Sequence, residues 1–223
     1  AVANCPASRA VEFCTMVAGD PARTTTAQNS APTGCRVARV RVSAQRGVYP
    51  LGMHVPWPLT GRAAAMGNID AALSDPDVSG VLVWGAAGLG KTRIARAALE
   101  AAAARGSDTR WVVGTSAGQS IPLGAFTAWM QPGVTDTVQL VRGVIESLTA
   151  PGRPTVIVVD DAHRLDELSA FVVNQIVRRG AAKVILTFLD GEPISPAVQE
   201  ISDAGRFYRL DLQPLSPADT EKL

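Results

Sequence analysis

The stretch that most constrains the fold is VLVWGAAGLGKTRIARAALE, residues 81–100. An apolar run leads into a glycine-rich turn, which is followed by Lys91, Thr92 and an alanine-rich segment. A strand, a tight loop and a helix in this order predict a phosphate-binding loop, in which backbone N–H groups and the helix N-terminus face an anion. Lysine occurs only three times in the chain, so its presence at this position strengthens the prediction.

The spacing of the loop assigns a role to each residue. Gly85, Gly88 and Gly90 let the backbone wrap closely around the phosphates. Lys91 is expected to bridge the β- and γ-phosphates of ATP, and the Thr92 hydroxyl to ligate Mg²⁺. Arg93, the next residue of the helix, is assigned to the same nucleotide site. ATP and ADP are therefore the expected ligands.

An acidic pair ends the apolar run TVIVVD. Carboxylates at the C-terminal end of a buried parallel strand emerge at the edge where ligands bind. Asp160 suits Mg²⁺ through the water shell of the ion, and Asp161 could polarise an attacking water as a general base. The alternative is a strand-ending turn in which Asp161 caps the next segment. Because aspartate is shorter than the glutamate common in fast ATPases, we expect slow hydrolysis.

Other residues near these motifs are interpreted structurally. His163 is expected to bond a neighbouring backbone group, and Asp166 to cap the following helix. Trp84, Trp111 and Trp129 are assigned to the core rather than to stacking platforms.

From Leu59 onward, apolar runs alternate with helical segments. Unbroken apolar strands indicate a sheet that is covered on both faces, and strand–helix alternation makes the sheet parallel. The predicted fold is therefore a three-layer α/β P-loop fold. The predicted strands are 81–84, 110–115, 155–160, 183–188 and 207–212. The predicted helices are 62–74, 91–104, one from near Leu123, 137–149 and 168–180.

Residues 1–55 differ from the rest of the chain. They are rich in turn-forming residues and contain all three cysteines, whose spacing fits neither a zinc site nor a disulfide framework. We expect a disordered or non-native extension there, with a short strand at 35–44, ahead of an ATPase domain at 56–223. Residues 1–52 either precede a natural start at Met53 or form a flexible arm.

The charge and hydropathy of the chain limit the kinds of partner that we expect it to bind. The predicted domain has no excess of basic residues with which to bind nucleic acid. No apolar run approaches the roughly 18 residues of a membrane span. We therefore expect a cytoplasmic protein without a membrane partner.

Five stretches together resemble the ATPase module of large LuxR-type transcriptional regulators, which are signal-transduction ATPases with numerous domains and relatives of the AAA+ ATPases. These stretches are WPLTGR, GAAGLGKTRIARAALE, SIPLGAF, VIVVDDAHRLDELSA and RLDLQPLSPADTEKL. The resemblance spans residues 56–223 and implies a five-stranded sheet in the order 5-1-4-3-2. It also implies that ATP acts as a conformational switch, and that a helical lid and a DNA-binding helix-turn-helix follow.

The resemblance implies further site residues. Gly61 and Arg62 match the N-terminal box that lies against adenine, and Thr187 stands where a polar sensor would contact the γ-phosphate. The chain departs from the family there, because Phe188 and Leu189 stand where Thr-x-Arg is usual. An ordinary strand-end threonine is the alternative reading of Thr187.

The segment DAGRFYRLDL resembles the AAA+ segment that donates an arginine finger to a neighbouring subunit, and Arg206 and Arg209 are the candidates. The alternative is a pair of solvated arginines that flank an edge strand. The following SPADTEKL resembles the first turns of the lid helix, with Ser216 as its cap and Pro217 at its first position. We expect a fragment or a truncated reading frame, with DNA binding only through a C-terminal domain that this chain lacks.

The leading functional hypothesis is an ATP-binding, slowly hydrolysing switch module of a LuxR-type regulator. A non-catalytic nucleotide-binding remnant is the first alternative. A small P-loop kinase is the second, but such an enzyme needs an arginine-bearing lid and an acceptor pocket, for which the sequence shows no arginine cluster.

Overall fold

The computed structural model describes residues 60–149 and 152–220. The predicted extension at 1–55 and its short strand at 35–44 lie outside these residues, so that boundary stays a prediction. The strands are β1 (Gly80–Gly85), β2 (Asp108–Val113), β3 (Thr155–Asp160), β4 (Lys183–Leu189) and β5 (Phe207–Asp211). The helices are α1 (Ala63–Ser74), α2 (Lys91–Ala104), α3 (Thr137–Leu148), α4 (Glu167–Arg178), α5 (Pro196–Ala204) and α6 (Pro217–Thr220).

The strands form one parallel sheet in the order β2-β3-β4-β1-β5. When this order is read from the other edge of the sheet, it is the predicted order 5-1-4-3-2. The predicted fold class and topology are therefore confirmed. One face of the sheet packs on α1 and α2, and the other packs on α3, α4 and α5. Because side chains alternate along each strand, the core has two parts, one on each face of the sheet. On β1, Val81 and Val83 face α2, whereas Leu82 faces the opposite layer.

Two local predictions differ from the structure. The helix expected from near Leu123 is a 3₁₀ helix, Gly124–Trp129, and it follows a left-handed residue, Leu123 (φ 57°). Helix α5 was not predicted. Its cap is local, however, since the Ser195 hydroxyl accepts from the backbone N–H of Val198 and Pro196 begins the helix.

Asp166 is the N-cap of α4, as predicted, and it also holds the loop after β2. Its buried carboxylate accepts from the backbone N–H groups of Ser169 and Leu123 at 3.0 Å each, and from that of Gly124 at 3.1 Å. The Ser169 hydroxyl donates to it as well. One carboxylate therefore satisfies two loop N–H groups and the first turn of a helix.

No helix among residues 60–149 and 152–220 is long and apolar enough to cross a membrane. The cytoplasmic location stays a prediction.

Substitution of Asp166 tests this cap. We expect Asp166→Ala to lower the free energy of unfolding by about 3 kcal/mol, because it leaves buried backbone N–H groups without acceptors. Asp136→Ala is the matched control, since Asp136 caps α3 with one exposed bond, to the N–H of Gln139 at 2.8 Å, and should cost about 1 kcal/mol. Urea unfolding followed by tryptophan fluorescence measures both. Equal losses would contradict the linking role of Asp166.

Candidate nucleotide-binding site

The loop between β1 and α2 has the backbone that its glycines predict. Gly88 and Gly90 have φ angles of 80° and 88°, a region that only glycine adopts without strain. Gly85 has little room for a side chain, since a Cβ there would lie 3.2 Å from the backbone oxygen of Leu212. Helix α2 follows Gly90 without a side-chain cap. Its first N–H groups are therefore directed to the loop, where an anion can accept from them.

The Lys91 side chain lies inside this loop. Only 8% of its surface is exposed, and Nζ donates to the backbone oxygens of Gly85 and Ala86 at 2.9 Å each. These acceptors are neutral carbonyls. A phosphate would give the ammonium a stronger, charge-assisted partner at the same place.

The acidic pair is held by two threonine hydroxyls. Asp160 is 6% exposed, and its Oδ1 accepts from Thr92 Oγ1 at 3.2 Å and from Thr187 Oγ1 at 2.6 Å. The Thr187 hydroxyl in turn accepts from the backbone N–H of Asp161 at 2.9 Å. Helix α2 and the ends of β3 and β4 are thereby joined at one carboxylate.

Strand register explains why these groups meet. Val158 and Ile185 pair across β3 and β4 and face α2. Side chains alternate along a strand, so Asp160 and Thr187, each two residues further on, face α2 as well. Thr187 is fully buried, and its hydroxyl is occupied by the acidic pair. Its contact with a γ-phosphate stays a prediction.

Asp161 does not cap the following segment. Its backbone is left-handed, with φ 53° and ψ 49°, and its carboxylate makes no capping hydrogen bond. The capping alternative is therefore wrong. The role of Asp161 as a general base stays a prediction.

His163 lies in the turn after the acidic pair, and it differs from expectation. Its Nε2 accepts from Arg164 Nε at 3.2 Å, so the ring bonds a side chain rather than a backbone group. Burial lowers the pKa of His163, against the opposing effects of the Asp161 and Glu192 carboxylates. The imidazole is consequently neutral at neutral pH.

A cavity of about 410 Å³ lies beside the loop, within the size range of small-ligand sites. Arg62 crosses it, since Nη1 donates to the Gln213 oxygen at 2.8 Å and Nη2 to the Leu89 oxygen at 3.0 Å. Gly61 lies under α6, where a Cβ would come within 2.8 Å of the Asp219 side chain. The cavity is lined by Thr60, Arg62, Gly88, Leu89, Gly90, Arg93, Ile94, Pro214, Leu215 and Thr220.

The structure thus brings the predicted box residues Gly61 and Arg62 and the loop residues Gly88, Gly90 and Arg93 to one place. Sequence reasoning missed Leu89, Ile94 and Leu215 as cavity residues. Apolar side chains carry no ligand signature, so the sequence held no signal that could have identified them.

The two arginine-finger candidates have different surroundings. The Arg209 side chain is held in place by two contacts. Its Nε donates to the Asp211 carboxylate at 3.0 Å, and its guanidinium lies 4.8 Å from the ring centroid of Trp84. Arg206 precedes β5, at the end of the sheet opposite the phosphate loop, and its side chain is 80% exposed. Its Nη1 lies 4.0 Å from an Asp77 carboxylate oxygen. Its role in self-association stays a prediction.

The three tryptophans are confirmed as packing residues. Trp84 and Trp129 pack against the α3–α5 side of the core, and Trp111 against the α2 side. Trp84 also stacks on Phe188, with 4.7 Å between ring centroids.

The donor set fits a nucleotide with Mg²⁺. Thr92 and Asp160 offer the hard oxygen ligands that Mg²⁺ takes together with phosphate oxygens and water. Lys91 and the uncapped end of α2 offer donors to the phosphates. No cluster of three or more metal-binding side chains occurs in the described part of the chain.

Fold and site together define a P-loop nucleotide-binding domain of the α/β class. The model of the AAA ATPase domain family matches residues 58–188, more than half of the chain. The chain belongs to the AAA ATPase domain family.

Two solved structures are similar to this chain. Cdc6p from Pyrobaculum aerophilum is 17% identical, with a TM-score of 0.50 over 73% of this chain and 48% of that chain. AMPPCP-bound DnaA from Aquifex aeolicus is 19% identical, with a TM-score of 0.49 over 73% of this chain and 50% of that chain. The chain therefore spans about half the length of these proteins. No curated protein matches it.

The Thr187 hydroxyl should matter for metal-dependent binding. We expect Thr187→Val to cost about 1–3 kcal/mol of stability and to weaken binding of ATP with Mg²⁺ about tenfold, because Asp160 loses its shorter donor. Binding without Mg²⁺ should change little. Isothermal titration with and without Mg²⁺ measures the difference.

Thr155→Val is the control, since Thr155 is also buried on a strand but its hydroxyl makes only one long bond, 3.4 Å to the Arg153 oxygen. Equal effects of the two substitutions on binding would refute a specific role for Thr187.

Proposed function

We propose that this domain binds ATP with Mg²⁺, hydrolyses it slowly and serves as the switch module of a LuxR-type transcriptional regulator. The observation that carries the proposal is the hydroxyl–carboxylate chain from Thr92 through Asp160 to Thr187. It holds the Asp160 carboxylate beside the phosphate loop, where that carboxylate would serve as a metal ligand, and Asp161 follows it directly in the chain.

Binding follows from the loop. Lys91 Nζ and the N-terminus of α2 would hold the β- and γ-phosphates, and Thr92 and Asp160 would hold Mg²⁺. The bound metal would neutralise phosphate charge. Arg62 and Leu89 border the cavity beside the loop, which would receive the adenine.

Hydrolysis needs a base near the γ-phosphate. Asp161 supports this role because its carboxylate caps no helix and can take a proton from an attacking water. Strand β4 supplies no cation there, since Phe188 is buried against Trp84 and Leu189 is apolar. A short base, together with Phe188 and Leu189 where the family usually has Thr-x-Arg, supports slow turnover.

The switch role is supported by Arg62. Its two hydrogen bonds join the phosphate loop, at Leu89, to the segment after β5, at Gln213. A ligand in the cavity would compete for these donors. Nucleotide binding would thereby shift the segment 213–220, which leads into α6, and contact with DNA is proposed only for a further domain of such a regulator.

Two substitutions separate binding from hydrolysis. We expect Lys91→Ala to weaken ATP binding about tenfold or more, because a charge-assisted partner is lost. Asp161→Asn should keep ATP affinity within about threefold but lower turnover about 10²-fold, the contribution of a general base. Calorimetry measures affinity, and released phosphate measures turnover.

Asp190→Asn, an exposed aspartate at the end of β4, is the control and should retain wild-type turnover. Tight binding with turnover that does not depend on Asp161 would overturn the ATPase role and favour a nucleotide-holding remnant. Phosphate transfer to a small acceptor would favour a kinase instead.

Arg62 provides the test of the switch. We expect ATP to change hydrogen exchange in residues 213–220 of the wild type, and Arg62→Met to abolish that change, because the link to Gln213 is lost. Arg105→Met is the matched control, since Arg105 pairs with Asp70 at 3.0 Å away from the cavity, and it should respond as the wild type does. A response that survives Arg62→Met would refute the link.

A further inference from the structure

The loop after β2 contains a compact arch, residues 115–124. The Thr115 hydroxyl accepts from the backbone N–H of Gly118 at 3.0 Å, and the N–H of Ile121 donates to the Gly118 oxygen at 3.0 Å. The end of the arch closes on its middle, because a Cβ at Gly124 would lie 2.2 Å from the Gly118 oxygen. These contacts make the arch one unit, as in other compact surface loops whose ends lie close together.

Two side-chain contacts of different strength attach the arch to the connection between β3 and α4. Its last residues are held by the buried Asp166 carboxylate, which accepts from the N–H groups of Leu123 and Gly124. Its first residues are held by Arg164, whose Nη1 donates to the Ser116 hydroxyl at 3.2 Å in an exposed position. A long, exposed bond to a neutral hydroxyl is the weaker of the two attachments.

Arg164 lies at one end of a chain of hydrogen bonds whose other end is the Asp160 carboxylate. The Thr187 hydroxyl donates to Asp160 Oδ1 at 2.6 Å and accepts from the backbone N–H of Asp161 at 2.9 Å. The Asp161 oxygen in turn accepts from the backbone N–H of Arg164 at 2.9 Å. A movement of the Asp160 carboxylate would therefore be passed to the turn that carries Arg164.

The Arg164 side chain is held only by neutral acceptors. Its Nε donates to His163 Nε2 at 3.2 Å and its Nη1 to Ser116, and within residues 60–149 and 152–220 it forms no ion pair. Neutral acceptors bind a guanidinium less strongly than a carboxylate does. Because Asp166 keeps the end of the arch in place, a shift of the acidic turn would be taken up at the bond to Ser116.

We propose that the bond between Arg164 and Ser116 is a latch that reports the occupancy of the metal site to the arch. The inference rests on the proposed function, because the ligand that acts on the latch is ATP with Mg²⁺. When the metal is held there, the Asp160 carboxylate turns toward it, the acidic turn follows through Thr187, and the latch opens. The latch is the two-state element of this coupling, closed when its bond is made and open when the bond is broken.

The first test needs no nucleotide and measures hydrogen exchange of the hydrogen-bonded N–H groups of the arch. We expect Arg164→Met and Thr187→Val each to speed this exchange at least about threefold, because each loosens the latch. The two substitutions together should do no more than Arg164→Met alone. Thr155→Val is the control for lost stability, and it should leave exchange in the arch unchanged relative to exchange in α5.

The second test adds a ligand that is not hydrolysed, the β,γ-methylene analogue of ATP. With Mg²⁺ it should speed exchange in the wild-type arch at least about threefold, whereas with EDTA it should not, because Asp160 then has no metal to bind. Arg164→Met and Ser116→Ala should both abolish this response. Arg178→Met is the matched control, since Arg178 Nε donates to Asn174 at 2.7 Å within α4, and it should respond as the wild type does.

Additive effects of Arg164→Met and Thr187→Val in the first test, or a ligand response that survives Arg164→Met, would overturn the latch. Failure of the proposed function looks different. A wild type that does not bind the analogue would overturn the nucleotide role, while the first test would still decide whether Arg164 couples the acidic pair to the arch.

Discussion

The site depends on one buried carboxylate. Asp160 receives two hydroxyl donors on the same oxygen, and no basic side chain is paired with it in the described part of the chain. Two neutral hydroxyls compensate a buried charge only in part. Mg²⁺ brought by a nucleotide would fit the oxygen ligands that are present. Under the proposed function, a cation held at the phosphate loop would therefore stabilise the Asp160 carboxylate.

Parallel topology makes this arrangement possible. All five strands end at one edge, so the loop after β1, the acidic pair after β3 and Thr187 near the end of β4 meet there without long connections. Helix α2 begins at this edge without a side-chain cap, whereas α4 begins on the four-bonded carboxylate of Asp166. The first turn of α4 is therefore satisfied by a side chain, whereas the first N–H groups of α2 remain able to donate to a ligand.

Sequence reasoning succeeded where chemistry is local. The phosphate loop and β3 could be located from apolar runs and glycine spacing, and the cap at Asp166 from its residue type. Sequence reasoning failed where a contact joins residues that are distant in the sequence but close in the fold. Nothing in the amino-acid sequence shows that the Thr187 hydroxyl donates to Asp160. The two residues lie 27 positions apart and meet only through strand register. The left-handed turn at Leu123 was missed because a leucine rarely adopts that backbone.

Two networks flank the phosphate loop, and they would respond to different parts of a nucleotide. Arg62 joins the cavity to the segment after β5, so it would respond to the base, which ADP and ATP share. Asp161 lies on the acidic turn, which Arg164 joins to the loop after β2, because its Nη1 donates to the Ser116 hydroxyl at 3.2 Å. Under the proposed function, Asp161 would respond to the γ-phosphate, which only ATP has. The first network would then hold either nucleotide, and the second would distinguish them.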